Sequence, residues 1–225
     1  MSSEHTKDLS SGSIQYGSYT GARWELLNFF TFEGKRVLDV GSGGGGMAPL
    51  LRNAGALRIV GIECDETRAA LGTGYDEMIV GTIEEALWTS SLNDQQFDLM
   101  LFADVLEHLA DPWTTLRQLV RSNLAPDGQV FVSIPNVASM AVLGQLLLRR
   151  DWRYDDSGMF DRTHLRWFGN STLRDLLRSA GLRPVTWGGL VKVPVGKHEY
   201  TRLMADVRHI PKLAIFQFHV LAERL

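Results

Sequence analysis

Apolar positions along the chain fall into two rhythms. Short runs with little alternation, at Arg36–Val40, Arg58–Ile62, Met78–Val80, Phe97–Phe102, Gln129–Ile134, Arg183–Trp187 and Ala214–Ala222, read as strands. Segments with apolar residues three and four apart read as helices: Tyr19–Phe32, Met47–Asn53, Thr67–Leu71, Ile83–Trp88, Val105–Leu109, Pro112–Asn123, Ser139–Arg150 and Ser171–Ala180. Punctuation residues agree with these bounds. Pro112 suits a first helical position, Gly55 and Gly181 suit helix ends, Asp127-Gly128 marks a turn, and Asn170 is placed to cap the helix at Ser171. Strands that lack alternation are buried on both faces, so alternating strands and helices predict a doubly wound α/β domain around a parallel sheet. No clear crossover helix separates Trp187 from Ala214, which predicts an antiparallel last strand; residues 188–213 carry no readable pattern.

The 225 residues fit one domain, read as 19–225 behind a polar, Ser-rich tail at 1–18. That tail has no apolar core of signal-peptide length, and no run approaches membrane-spanning length, so a cytoplasmic location is expected. A net charge of −3 argues against a nucleic-acid scaffold. The single cysteine, Cys64, lies between two acids that raise a thiol pKa and make it a poor nucleophile.

The most informative stretch is Val37-Leu38-Asp39-Val40-Gly41-Ser42-Gly43-Gly44-Gly45-Gly46, where a strand breaks into glycines before a helix. Glycines here let the backbone approach a nucleotide-like ligand, with Gly41, Ser42, Gly43 and Gly45 as the contacting residues. Gly41, Gly43 and Gly46 also satisfy a dinucleotide pattern, but Asp39 discriminates. A carboxylate there repels a pyrophosphate and attracts a cation such as the sulfonium and ammonium of S-adenosylmethionine (SAM).

On an open α/β sheet, ligands bind beyond the carboxyl ends of the strands. Glu63, about 20 residues after Gly43, is placed to accept both ribose hydroxyls, with Cys64 beside it. Thr82 and Ile83 end the third strand, where they could read and pack on an adenine, or Thr82 could simply cap a helix. Backbone carbonyls at Phe102 and Ala103 are candidates for the ligand's amino group. His108 faces the acceptor or serves packing, and Asn136 orients the acceptor or forms a turn.

Residues 151–168 crowd aromatic, acidic, basic and imidazole groups into one loop. His164 is the expected general base, with Asp161 holding its tautomer. Trp152, Tyr154, Arg162 and Arg166 are expected to bind the acceptor, and residues 138–169 form a lid over its site. No metal ligands are expected. The apolar helix at Ser139–Arg150 reads as a lid, a face for a second copy, a membrane-surface contact or, most simply, a buried helix.

With these residues placed, the chain resembles the class I SAM-dependent methyltransferases over about residues 20–190. Residues 36–46, Glu63, Phe97-Asp98, Val105–Leu109 and Asp127-Gly128 stand in that family's order. Val105-Leu106-Glu107-His108-Leu109 is similar to methyltransferases of the ubiquinone-biosynthesis type. Ile134-Pro135-Asn136 and Asp161-Arg162-Thr163-His164-Leu165-Arg166 resemble those of bacterial polysaccharide and secondary-metabolite genes. The resemblance implies a Rossmann-like seven-stranded sheet in the order 3-2-1-4-5-7-6 with strand seven antiparallel. It also implies closure of Tyr16, Tyr19 and Arg23 over the cofactor. Thr82 departs from the Asp that many relatives carry. The expected reaction is methyl transfer from SAM to a hydroxyl of a small molecule such as a sugar or polyketide, leaving S-adenosylhomocysteine. Methylation of nitrogen, an NAD-dependent oxidoreductase and an inactive SAM-binding protein are the alternatives.

Overall fold

The computed structural model describes residues 26, 29–89, 91, 92, 94–195, 199–206 and 211–225. Its strands are β1 (Arg36–Val40), β2 (Arg58–Glu63), β3 (Glu77–Val80), β4 (Phe97–Ala103), β5 (Leu124–Pro135), β6 (Leu182–Val195), β7 (Glu199–Asp206) and β8 (Ile215–Arg224). The helices are α1 (Met47–Asn53), α2 (Glu66–Leu71), α3 (Ile83–Trp88), α4 (Pro112–Asn123), α5 (Met140–Gly144) and α6 (Asn170–Ser179). The strands form one sheet in the order β3-β2-β1-β4-β5-β8-β6-β7. β1 to β5 pair in parallel, and β8 inserts antiparallel between β5 and β6. The first seven positions are the expected 3-2-1-4-5-7-6 sheet with its antiparallel seventh strand.

Successive residues of the central strands face opposite sides. Leu38, Val40, Met100 and Val132 meet Ile83, Leu116, Leu119 and Leu173 from α3, α4 and α6. Val37, Ile59, Leu99 and Phe131 meet Leu51 of α1 and Phe32 on the other face. This two-sided burial explains why the strand runs show no polar alternation.

Tertiary pairing changes several expected boundaries. β6 runs through Gly188, Gly189 and Pro194, residues that weaken a strand signal, because it is zipped to β8 and then forms a hairpin with the unexpected edge strand β7. Gly189 is needed at this crossing: a Cβ there would lie 2.6 Å from Ile215 Cγ2. Val105–Leu109 does not start an α-helix but makes a 3₁₀ turn at Leu106–His108. Asn170 is the first residue of α6, not its cap; Gly169 occupies that place and donates its N–H to the Thr172 hydroxyl. Ser139–Arg150 divides into α5 and a π-helical turn at Gln145–Arg149 that ends on left-handed Arg150.

One polar clamp joins the feet of β1 and β4. The Arg36 backbone N–H and guanidinium donate three hydrogen bonds of 2.9–3.0 Å to the Asp98 carboxylate. These bonds hold the Asp98 pKa below its ordinary value despite burial that opposes them. Both groups remain partly exposed, so the clamp is worth about 1 kcal/mol. Asp98→Asn should lower the urea midpoint correspondingly at neutral pH. A depressed carboxylate pKa stabilises the fold above the unfolded value and loses that contribution as pH falls through the folded value. The gap between mutant and wild type should therefore close below about pH 4.

Candidate cofactor and acceptor site

The carboxyl ends of β1, β2 and β4 converge on the glycine loop. Gly41, Gly43 and Gly45 all have positive φ, at 70°, 56° and 83°. The loop is also closely approached. A Cβ on Gly45 would fall 2.4 Å from the Gly72 Cα, and one on Gly41 would fall 2.6 Å from Val105 Cγ2. Any side chain at these two positions forces backbone or neighbours apart. The Gly41 and Ser42 N–H groups donate to the Ile62 carbonyl, which fixes the loop against β2. The Ser42 hydroxyl, itself buried, rests 3.5 Å from the Met78 sulfur.

Two acids line this loop. Glu63 is 4% exposed, and its Oε2 accepts the Gly43 N–H at 2.7 Å while Oε1 accepts the Asp65 N–H at 2.9 Å. The Cys64 thiol also points at Oε1, and burial, then the Glu63 charge, raise its pKa. A carboxylate has about four lone-pair sites, so Glu63 keeps capacity for ribose hydroxyls. Asp39, 2% exposed, accepts the Tyr75 hydroxyl at 2.5 Å. Burial and the Asp39 charge push the Tyr75 phenol far above its ordinary pKa, so it stays protonated and donates. The loop N–H groups thus face carboxylates and carbonyls. This environment suits a cationic nucleoside and opposes a pyrophosphate.

Beyond β4 lies the acceptor side. Val105 touches Gly41, and the next three residues form the turn that carries Glu107 and His108. The loop from β5 returns to this turn, where Leu165 and Arg166 donate their N–H groups to the Glu107 carbonyl at 2.8 and 3.0 Å. This brings the His108 and His164 rings edge to face, 4.7 Å between centroids. One carboxylate oxygen of Glu107 and one nitrogen from each imidazole lie within 4.8 Å of one another. His164 Nδ1 faces the Met159 carbonyl at 3.2 Å. His108 Nδ1 faces the Thr163 carbonyl at 3.3 Å and hydroxyl at 3.0 Å. The Thr163 hydroxyl donates to Asp161 at 2.6 Å, so toward His108 it accepts. Carbonyls accept only, so each Nδ1 carries the proton and each Nε2 keeps its lone pair. Burial lowers the pKa of both imidazoles, and His108 lowers that of His164 further. Burial works against the Asp161 carboxylate, but the Thr163 hydrogen bonds and the two imidazoles outweigh it and hold its pKa low.

Residues 19–186 match the family model for a methyltransferase domain. The chain belongs to the class I SAM-dependent methyltransferases. A ubiquinone biosynthesis O-methyltransferase of Ruegeria pomeroyi is 33% identical over 174 residues, which cover 73% of this chain and 66% of the relative. Among solved structures, a possible histamine N-methyltransferase from Thermotoga maritima shares the fold with TM-score 0.66 at 19% identity, over 90% of this chain and 87% of its own. The magnesium protoporphyrin IX methyltransferase from Synechocystis, solved with bound S-adenosylhomocysteine, gives TM-score 0.56 at 16% identity, over 90% and 79% of the two chains. The cofactor of this methyltransferase is SAM.

The methyltransferase brings Asp39, Gly41, Ser42, Gly43, Gly45, Glu63 and Cys64 together at one loop, as expected. The other expected contacts divide. The Thr82 hydroxyl accepts the Glu85 N–H, and its own N–H donates to the Glu85 carboxylate, so the reciprocal cap of α3 occupies both groups. Ile83 and the Phe102 side chain are buried in the core, which leaves backbone at Phe102 and Ala103 for a ligand. Tyr16, Tyr19 and Arg23 lie outside the described residues.

On the acceptor side, Asp161 does not hold the His164 tautomer; the Met159 carbonyl does, and Asp161 acts on His108 through Thr163. Asn136 is fully buried, and its amide ties the carbonyls of Lys212 and Ile215 to the Ala138 N–H, so its polar atoms brace the end of β5 against the start of β8. Arg162 pairs with Asp156 on the surface. Arg166 donates to the Ala110 and Leu165 carbonyls, which stitches the loop down. Trp152 and Tyr154 do meet. With Val137 and Trp167 they line a shallow hollow of about 310 Å³.

Sequence reasoning missed Tyr75, Thr163, Trp167 and Asp104. The last is a non-glycine residue at φ 58° at the end of β4, with Ser133 and Gln217 donating to its carboxylate. Its position directly after a strand opposite the glycine loop was the available signal.

Proposed function

We propose that the protein transfers a methyl group from SAM to an oxygen of a small molecule with an aromatic or similarly flat body. The observation that carries this reading is the close approach of Val105 to Gly41, because Val105 leads into the turn that bears Glu107 and His108, and these two residues meet His164. The identity to ubiquinone biosynthesis O-methyltransferases supports oxygen as the target. Bound SAM supplies an electrophilic methyl on a sulfonium. Asp39, held by Tyr75, favours the cationic form, and Glu63, which already grips the loop at Gly43, holds the ribose. The flat faces of Trp152, Tyr154 and Trp167 hold the acceptor body by stacking. The Glu107, His108 and His164 cluster handles the acceptor's hydroxyl proton, and the remaining catalysis is alignment and exclusion of water.

The test is incubation of the protein with SAM and small-molecule extract, followed by mass spectrometry for products heavier by one methylene. Fragmentation then assigns the methyl to oxygen or nitrogen. Products methylated only on nitrogen overturn the oxygen assignment. Tight SAM binding with no methylated product from any pool favours an inactive binder. Trp167→Ala should raise the acceptor KM about tenfold or more while SAM affinity stays unchanged, as loss of one stacked face predicts. No described helix is long and apolar enough to cross a membrane.

A further inference from the structure

The side-chain cluster beyond β4 has a feature that proton transfer alone does not need. Two imidazoles from segments 56 positions apart in sequence, roughly, and a carboxylate that is 2% exposed converge on one point. Each imidazole is oriented the same way. Nδ1 is turned to a backbone carbonyl, which leaves the free lone pair on Nε2. That arrangement is how proteins prepare histidines as metal ligands: the outward N–H is fixed by an acceptor, and the inward lone pair is aimed. A second layer fixes the first. Asp161 accepts the Thr163 hydroxyl, which in turn accepts His108 Nδ1–H. The backbone pairing of Leu165 and Arg166 with the Glu107 carbonyl clamps the two segments at this spot. Within 4.8 Å of each other, the three ligand atoms can close onto an ion with small rotations of their side chains.

We propose that Glu107, His108 and His164 bind one divalent transition-metal ion. Two imidazole nitrogens and one carboxylate select zinc-class ions over magnesium or calcium, which prefer all-oxygen sites. Three protein ligands leave coordination positions open. The rest of the proposal builds on the oxygen-methylation reading above: an acceptor hydroxyl takes an open position, its pKa falls on the ion, and its proton passes to solvent water. The oxygen is then held as an anion next to the loop that carries the cofactor.

The experiment uses the whole chain, stripped with a chelator and dialysed. Cobalt(II) is added, and its visible d–d bands report imidazole and carboxylate coordination; zinc is then titrated in competition. One ion per chain is expected, with His108→Ala and His164→Ala each weakening cobalt binding at least about tenfold. Thr163→Val keeps the shape of a surface-facing residue and removes only the hydroxyl behind His108; it should weaken binding about tenfold. Retained SAM binding reports that each variant is folded. Absence of cobalt bands in SAM-binding protein overturns the site, as does an affinity that His164→Ala leaves unchanged. If the ion binds as described but stripped enzyme methylates a phenol as fast as reloaded enzyme, the ion's role on the acceptor is overturned. If the loaded enzyme binds the ion and methylates no hydroxyl, the oxygen-methylation reading fails and the metal site stands.

Discussion

His164→Ala is expected to lower turnover by about 10²–10⁴-fold, the range for loss of a group that manages the reacting proton. SAM affinity should change far less. The reason is placement. His164 packs against the Met159 carbonyl and the His108 ring, and neither belongs to the cofactor loop. The buried ring leaves a small cavity, so a modest fall in thermal stability accompanies the loss of rate. Asp161→Asn should act more mildly, through Thr163 and His108, because Asp161 makes no contact with His164 Nδ1. Steady-state kinetics beside calorimetric SAM titration separate the two effects. A His164→Ala protein that turns over at full speed would remove the cluster from the reaction and leave catalysis to positioning.

Glu63→Ala should weaken SAM binding by about 10- to 100-fold, the equivalent of one or two hydrogen bonds to a charged group. Glu63 does two jobs. In the proposed site it takes the ribose, and it accepts the Gly43 and Asp65 N–H groups that shape the loop. The alanine variant leaves the buried Gly43 N–H and the part-buried Asp65 N–H without that acceptor, so the unliganded protein should also be less stable by about 1–3 kcal/mol. Glu63→Gln sharpens the test. Its amide offers an acceptor to only one of the two N–H groups and turns a donor toward the other, so the loop is disturbed without a cavity. Calorimetry with SAM and with S-adenosylhomocysteine reads both variants. Unchanged affinity in a folded Glu63→Ala protein would exclude Glu63 from the cofactor site.

Much of this molecule was legible before any coordinates. The run from Val37 to Gly46 is read correctly because both of its signals are local: an unalternating apolar strand, then glycines whose positive φ the turn requires. The starts of α4 at Pro112 and of β1 at Arg36 follow from neighbours within a few residues. The far edge of the sheet was not legible. Gly188, Gly189 and Pro194 argue locally against a strand, yet β8 pairs with β6 as far as Val191 and β7 pairs with it on to Val195.

The same division holds at the site. Asp39 and Glu63 could be named from sequence because they stand at or next to the last residues of β1 and β2, beside the glycine turn, where a ligand on such a sheet would bind. Asn136, Thr82 and Arg166 were candidates with structural alternatives, and each has its hydrogen-bond partners within the fold: the carbonyls at the start of β8, the cap of α3, and the Ala110 carbonyl. Tyr75 reaches Asp39 across 36 positions, and His108 meets Thr163 across 55. Residue type, period and turn chemistry act over one or two turns of chain, so they determined the strands, the cofactor loop and the family. The partner of a polar side chain depends on which distant segment packs against it, so only the assembled fold decided which histidines meet, what holds them, and which polar groups are left to face a ligand.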